Sequence, residues 1–120
     1  YLAYETLPAL VWRVDSRSKS IVFSMDTNSE DGNLELLSKG ADLLVLHRPV
    51  LKAMPGDADR PWHMPPSEIA GFVLEAGIKQ LVLAYHTPLT PGQELKILDE
   101  IKKRYEGTVV IASDLDCYTP

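Results

Sequence analysis

The chain has 120 residues, 45% hydrophobic and 24% charged, the composition of one globular domain spanning residues 1–120. Its 12 basic against 17 acidic residues give a net charge of −5, which excludes a basic footprint for nucleic acid or an anionic lipid surface. A lone Cys117 excludes an internal disulfide framework and a cysteine-rich zinc site, and no apolar run reaches the roughly 18 residues of a membrane span. No signal peptide is visible, so the cytoplasm is the expected setting, and the start at Tyr1 rather than Met reads as a processed or trimmed piece.

In chain order, residues 10–14 (LVWRV) and 20–24 (SIVFS) predict two strands joined by the polar turn DSRSK, a hairpin. A polar loop follows over 26–32. Asn33 predicts the cap of a short helix over 34–39, with Gly40 as its stop. Residues 42–46 (DLLVL) predict a third strand. The stretch from about 47 to 66 carries Pro49, Pro55, Pro61, Pro65 and Pro66 and reads as a long irregular connection.

A second helix is predicted over about 66–76. There Ile69, Phe72, Val73 and Ala76 fall at i, i+3, i+4 and i+7 on one apolar face, and Gly77 stops it. Residues 80–85 (QLVLAY) predict a strand. Thr90, Pro91 and Gln93 predict a helix start with a capping box, and the helix should bury Leu95, Leu98, Ile101 and Tyr105. Its outer face pairs Asp99 with Lys103 and Glu100 with Arg104 at i,i+4. Gly107 ends it, and 108–112 (TVVIA) predict the last strand.

A hairpin followed by β-α-β-α-β units predicts an α/β layer with a largely parallel sheet. The strands LLVL, LVLAY and VVIA are apolar at successive positions, as in parallel strands covered on both faces. Right-handed crossovers taken in one direction place their helices on one face. The other face then lacks a cover from this chain, and a sheet-on-sheet homodimer or a partner chain is expected to supply it.

Ligands on open α/β sheets gather outside the carboxyl ends of the strands. The polar residues at those ends are Asp26, His47, Tyr85, His86 and Asp114, with His63 on the proline-rich stretch. All but Tyr85 have a structural reading beside the functional one. Asp26 and His86 can serve turns, His47 and His63 can be solvated, and Asp114 can be a hydrogen-bond acceptor. Three histidines and an aspartate in one mouth suit zinc, iron or manganese. The chain has no HExxH, CxxC, P-loop, GxGxxG or G-x-S-x-G motif.

Several segments, in order, resemble a known family. SIVFSMDT at 20–27 is similar to a strand ending in S-G-D-T, and KGADLLVLH at 39–47 to G-A-D-L-L-V-H-E. AGIKQLVLAYHTP at 76–88 is similar to A-G-V-K-x-L-V-L-T-H-x-x-P, and GTVVIASDL at 107–115 to a closing strand. Together with His63 before Gly71, nearly the whole chain resembles the C-terminal half of a metallo-β-lactamase fold hydrolase.

The resemblance implies half of an αββα sandwich: one mixed sheet with helices on one face. It implies a zinc site drawing on Asp26 and His86, with His63 as a catalytic residue. The chain also departs from the family. The N-terminal half that carries H-x-H-x-D-H in the family is absent, Met25 replaces the Gly before the bridging Asp, and Tyr85 rather than His86 aligns with the ligand histidine. Leu46 and His47 stand where the family has His and Glu. Zinc catalysis uses about three protein ligands plus a water. The departures therefore predict an incomplete site and little hydrolysis by this chain alone. A subunit completed by a partner, a non-catalytic dimeric binding module and a mononuclear site from Asp26, His63 and His86 are the alternatives.

Overall fold

Two residues, Arg17 and Ser18, are all that separate the first two strands. A turn that short fixes the register of the two strands it joins. In a computed structural model, which describes residues 10–25, 32–47, 64–84 and 93–120, β1 (Trp12–Ser16) pairs antiparallel with β2 (Lys19–Phe23). Ser16 lies opposite Lys19, and Arg17 takes the left-handed backbone conformation (φ 56°) that closes the turn. The sequence predicts this hairpin with a wider turn. The observed turn is tighter, and both strands extend into the polar segment.

From β2 onward the chain repeats one step. Helix α1 (Asn33–Ser38) leads to β3 (Leu43–His47), α2 (Pro66–Ala76) to β4 (Gln80–Ala84), and α3 (Glu94–Lys102) to β5 (Thr108–Ile111). The sheet order is β1-β2-β3-β4-β5, with β2 to β5 parallel. Among the described residues the result is a mixed five-stranded sheet whose crossovers all advance in one direction, so the helices share a face.

That shared face holds the core. Val22, Leu44, Leu81 and Val109 stand side by side in register, and Leu46 and Leu83 form a second row. All are buried against Ile69, Val73, Ile97 and Ile101 of α2 and α3. The predicted face of α2 is the observed one, with Ile69, Phe72, Val73 and Ala76 all buried. Its end is also as predicted. Gly77 is left-handed (φ 68°), its N–H bonds the Leu74 carbonyl, and the Ile78 N–H bonds that of Val73.

Other local expectations are corrected. Gly32, not Asn33, occupies the cap of α1, and Asn33 is already helical. Strand β3 begins at Leu43, with Asp42 at its entrance accepting the Ser20 N–H on its carboxylate. Helix α3 starts at Glu94 with Gln93 at its cap, so Gln93 does not close a capping box; Thr90 to Gly92 lie outside the described residues. Its buried stripe runs through Ile97, Ile101 and Tyr105, each four residues on from the last, with Leu98 partly buried. Leu95, about 200° around the helix from Ile97, is exposed. On the outer face Lys103 pairs with Glu100 at i,i+3, while the Arg104 guanidinium lies over Gly71.

Gly107 is required by close approach. A Cβ there would fall 2.2 Å from the Tyr105 ring, whose hydroxyl donates to the Ile78 carbonyl at 3.0 Å. That bond ties the end of α3 to the start of β4.

The opposite face differs along its length. Arg13 turns toward the helices, where its guanidinium donates to the Leu37 and Lys39 carbonyls at the end of α1. Trp12 and Val14, its neighbours in β1, therefore point the other way. They are 60% and 52% exposed, and Phe23, opposite Trp12, is 41% exposed. Leu43 and Val82 on the same face are buried. The uncovered apolar surface is thus concentrated on the hairpin rather than spread across the sheet.

Candidate functional site

Parallel strands bring their carboxyl ends to one rim, so β2 to β5 present Ser24, His47, Ala84 and the residues after Ile111 together. The rim is held by bonds just past the strand ends. The Ser24 N–H donates to the Val45 carbonyl at 2.9 Å, and the Ala112 N–H to that of Leu83 at 2.9 Å. The Ser24 hydroxyl is buried and accepts the His47 N–H at 3.0 Å. His47 is thereby fixed at the mouth, half-buried. It alternates with Leu46 and shares the helix-free face with Val45.

Asp114 follows β5 and is exposed. The acceptor that organises this segment is its neighbour Asp116. The Asp116 carboxylate takes the Ser113 N–H at 2.8 Å and the Tyr118 hydroxyl at 2.9 Å. These bonds hold the Asp116 carboxyl below the ordinary carboxylate range. Partial desolvation, together with the neighbouring carboxylate, raises the Tyr118 hydroxyl. Leu115, in a left-handed conformation (φ 70°), forms the tip of the turn.

Sequence reasoning missed Ser24, Asp116 and Tyr118. A Ser followed three residues on by an acid, as at Ser113 and Asp116, is the capping-box-like spacing in which the acid reaches back to the N–H of the Ser.

The other candidates fall elsewhere. Asp26, His63 and His86 lie outside the described residues, as does Tyr85. Among the described residues no three His, Cys, Asp or Glu side chains come together as a metal site. Of the candidate metal-binding residues, the described rim supplies His47 and Asp114, fewer than the three protein ligands of a zinc centre. Cys117 is free and exposed. Among the described residues, no helix is long and apolar enough to cross a membrane.

Comparison with known proteins bears on the whole arrangement. The chain is 32% identical over 97 residues to ribonuclease Z of Methanosarcina mazei and 33% identical over 97 residues to that of Methanosarcina acetivorans. Each match covers 81% of this chain but 31% of the relative, so the chain spans about a third of those proteins' length. Among solved structures it is similar to the metallo-β-lactamase fold protein YhfI of Bacillus subtilis. That match has a TM-score of 0.68 and 28% identity, and covers 83% of this chain and 39% of the other. No family model matches the chain.

Proposed function

Because the chain is built as one half of a metallo-β-lactamase fold, with one mixed sheet and helices on a single face, we propose that it is a hydrolase-like half-domain with an incomplete metal site and little activity alone. In this reading Asp26 and His86 are the chain's ligands for zinc, and His63 is its catalytic residue. The observation that carries the reading is coverage: the segments quoted for the resemblance span nearly the whole chain, yet the chain matches about a third of each ribonuclease Z. The H-x-H-x-D-H segment of the family is missing from the sequence. A cytoplasmic setting belongs to the same reading.

The relatives' name makes an RNA phosphodiester the first substrate to assay. The net charge of −5 gives this chain little hold of its own on a polyanion, so a completing partner is expected to supply that hold as well. The chain alone, with added zinc or manganese, should turn over an RNA substrate at well under about 1 s⁻¹, a modest enzyme rate. Metal-dependent turnover above that, abolished by Asp26→Ala, would show a complete site within this chain.

The exposed Trp12, Val14 and Phe23 support a second part of the reading: this face receives another sheet. The short coverage of the relatives favours the rest of the fold as the occupant, on a partner or on the same longer polypeptide. A stacked homodimer is the alternative. The isolated chain should bind a hydrophobic dye, and a polypeptide carrying the H-x-H-x-D-H half should suppress that binding. A chain that binds no dye and remains a stable monomer at micromolar concentration would remove this part of the reading.

A further inference from the structure

Among the described residues β1 is the edge strand of the sheet, and its hairpin register decides which of its backbone groups face outward. The Ser20 N–H donates to the Asp42 carboxylate at 2.9 Å, and the Ser20 carbonyl accepts the Asp42 N–H at 3.1 Å. Ser20 thus spends both backbone groups on the β3 side. The Ser24 N–H turns to the same side, onto the Val45 carbonyl. In an antiparallel pair, opposed residues exchange both hydrogen bonds or neither. Asp15 is opposite Ser20 and Arg13 is opposite Val22, two positions further along. Arg13 and Asp15 therefore turn N–H and C=O to the outer edge. Among the described residues no backbone group meets them there.

That edge is self-complementary. Read antiparallel about Val14, the segment Trp12-Arg13-Val14-Asp15-Ser16 sets Arg13 against Asp15 of a second copy, twice, with Val14 against Val14. Within one chain the Arg13 guanidinium already donates to the Asp15 carboxylate at 3.0 Å, so the pairing joins two such ion pairs into one cluster of alternating sign. Both Arg–Asp pairs then fall at the outward-facing positions, where each pair exchanges two backbone hydrogen bonds. Sliding the register by two residues in either direction sets Arg13 against Arg13 or Asp15 against Asp15, and opposed like charges are destabilising. A uniform row of one charge would simply blunt an edge strand. Alternating signs select one register instead. The arrangement has a two-fold axis through Val14 and closes on itself.

We propose that β1 is a homotypic interface, pairing antiparallel about Val14 with β1 of a second copy to join two sheets edge to edge. The pairing uses the edge of the hairpin, and does not depend on what covers its apolar face.

Sedimentation of the chain at micromolar concentration tests this. The chain should be dimeric, and Asp15→Arg and Arg13→Asp should each weaken the dimer by about tenfold as two attractive pairs become repulsive. An equimolar mixture of the two variants should dimerise again, since each then supplies what the other lacks. Both substitutions also remove the exposed Arg13–Asp15 pair within the chain, a small loss, and Arg13→Asp further loses the bonds to the Leu37 and Lys39 carbonyls. Asp15→Pro avoids that second cost: its missing N–H points outward, where an edge strand tolerates proline. This variant should keep a native circular-dichroism spectrum and sediment as a monomer. A monomeric parent chain overturns the proposal. So does a dimer indifferent to Asp15→Arg and Asp15→Pro, which is the behaviour of a face-stacked pair, or a mixture of two folded variants that stays monomeric.

Discussion

Leu44→Ala is expected to destabilise the chain by about 2–5 kcal/mol, the range for truncating a fully buried leucine. Leu44 lies in the central strand, β3, and is fully buried. Its row runs from Val22 through Leu81 to Val109, so the cavity opens among β-branched and leucine side chains held by the ladder on both sides. A backbone bonded to two neighbouring strands cannot collapse into the gap, which places the cost well inside that range. Small domains are stable by about 5–15 kcal/mol in total, so a loss of this size is a large share of it. Urea denaturation should show a lower midpoint with an unchanged slope. A midpoint within experimental error of the parent would mean that this row is not the core.

Asp42→Ala is the second large effect, and it carries a pH signature. The carboxylate is buried at the entrance of β3, where it accepts the Lys79 ammonium at 2.6 Å, the Ser20 N–H at 2.9 Å and the Ser20 hydroxyl at 3.3 Å. The Lys79 hydrogen bond, then the Ser20 N–H, lower its pKa from 3.8 to about 2 despite its burial. A depressed carboxyl pKa stabilises the fold above the unfolded value. That contribution fades as pH falls from about 4 through about 2. The parent chain should therefore lose melting temperature over that interval. Asp42→Ala should begin lower at neutral pH and change less on acidification. Lys79→Ala should cost less than Asp42→Ala, because Lys79 is largely exposed and water replaces it, whereas removing Asp42 leaves the Ser20 N–H buried without its acceptor. Equal melting temperatures for parent and Asp42→Ala at neutral pH would refute the argument.

What was legible in the sequence of the candidate site was the rim of the sheet more than a set of ligands. Polar residues directly after apolar strands mark the carboxyl rim of a parallel sheet, and His47 and Asp114 stand on that rim. The fold resemblance agrees with the structural likeness to YhfI. The buried Ser24 hydroxyl and the Asp116 turn were not legible. Their roles depend on which backbone N–H a neighbouring strand or turn brings within 3 Å, and composition carries no trace of that.

What the sequence determined by itself was periodicity and punctuation. Ile69, Phe72, Val73 and Ala76 repeat as one helical face, Gly77 ends it, and doubly apolar strands alternate with helices. Together these leave a one-directional α/β sheet with its helices on one side. Tertiary structure decided phase and register. Leu95 and Ile97 are both apolar neighbours in one short helix. Only docking on the sheet buries Ile97 and leaves Leu95 in water, since a helix rolled by two residues would expose the stripe through Ile101 and Tyr105. The two-residue turn at Arg17 and Ser18 likewise set which face Trp12 and Val14 occupy. A shift of one residue there would have sent both into the helical core and Arg13 to the open side.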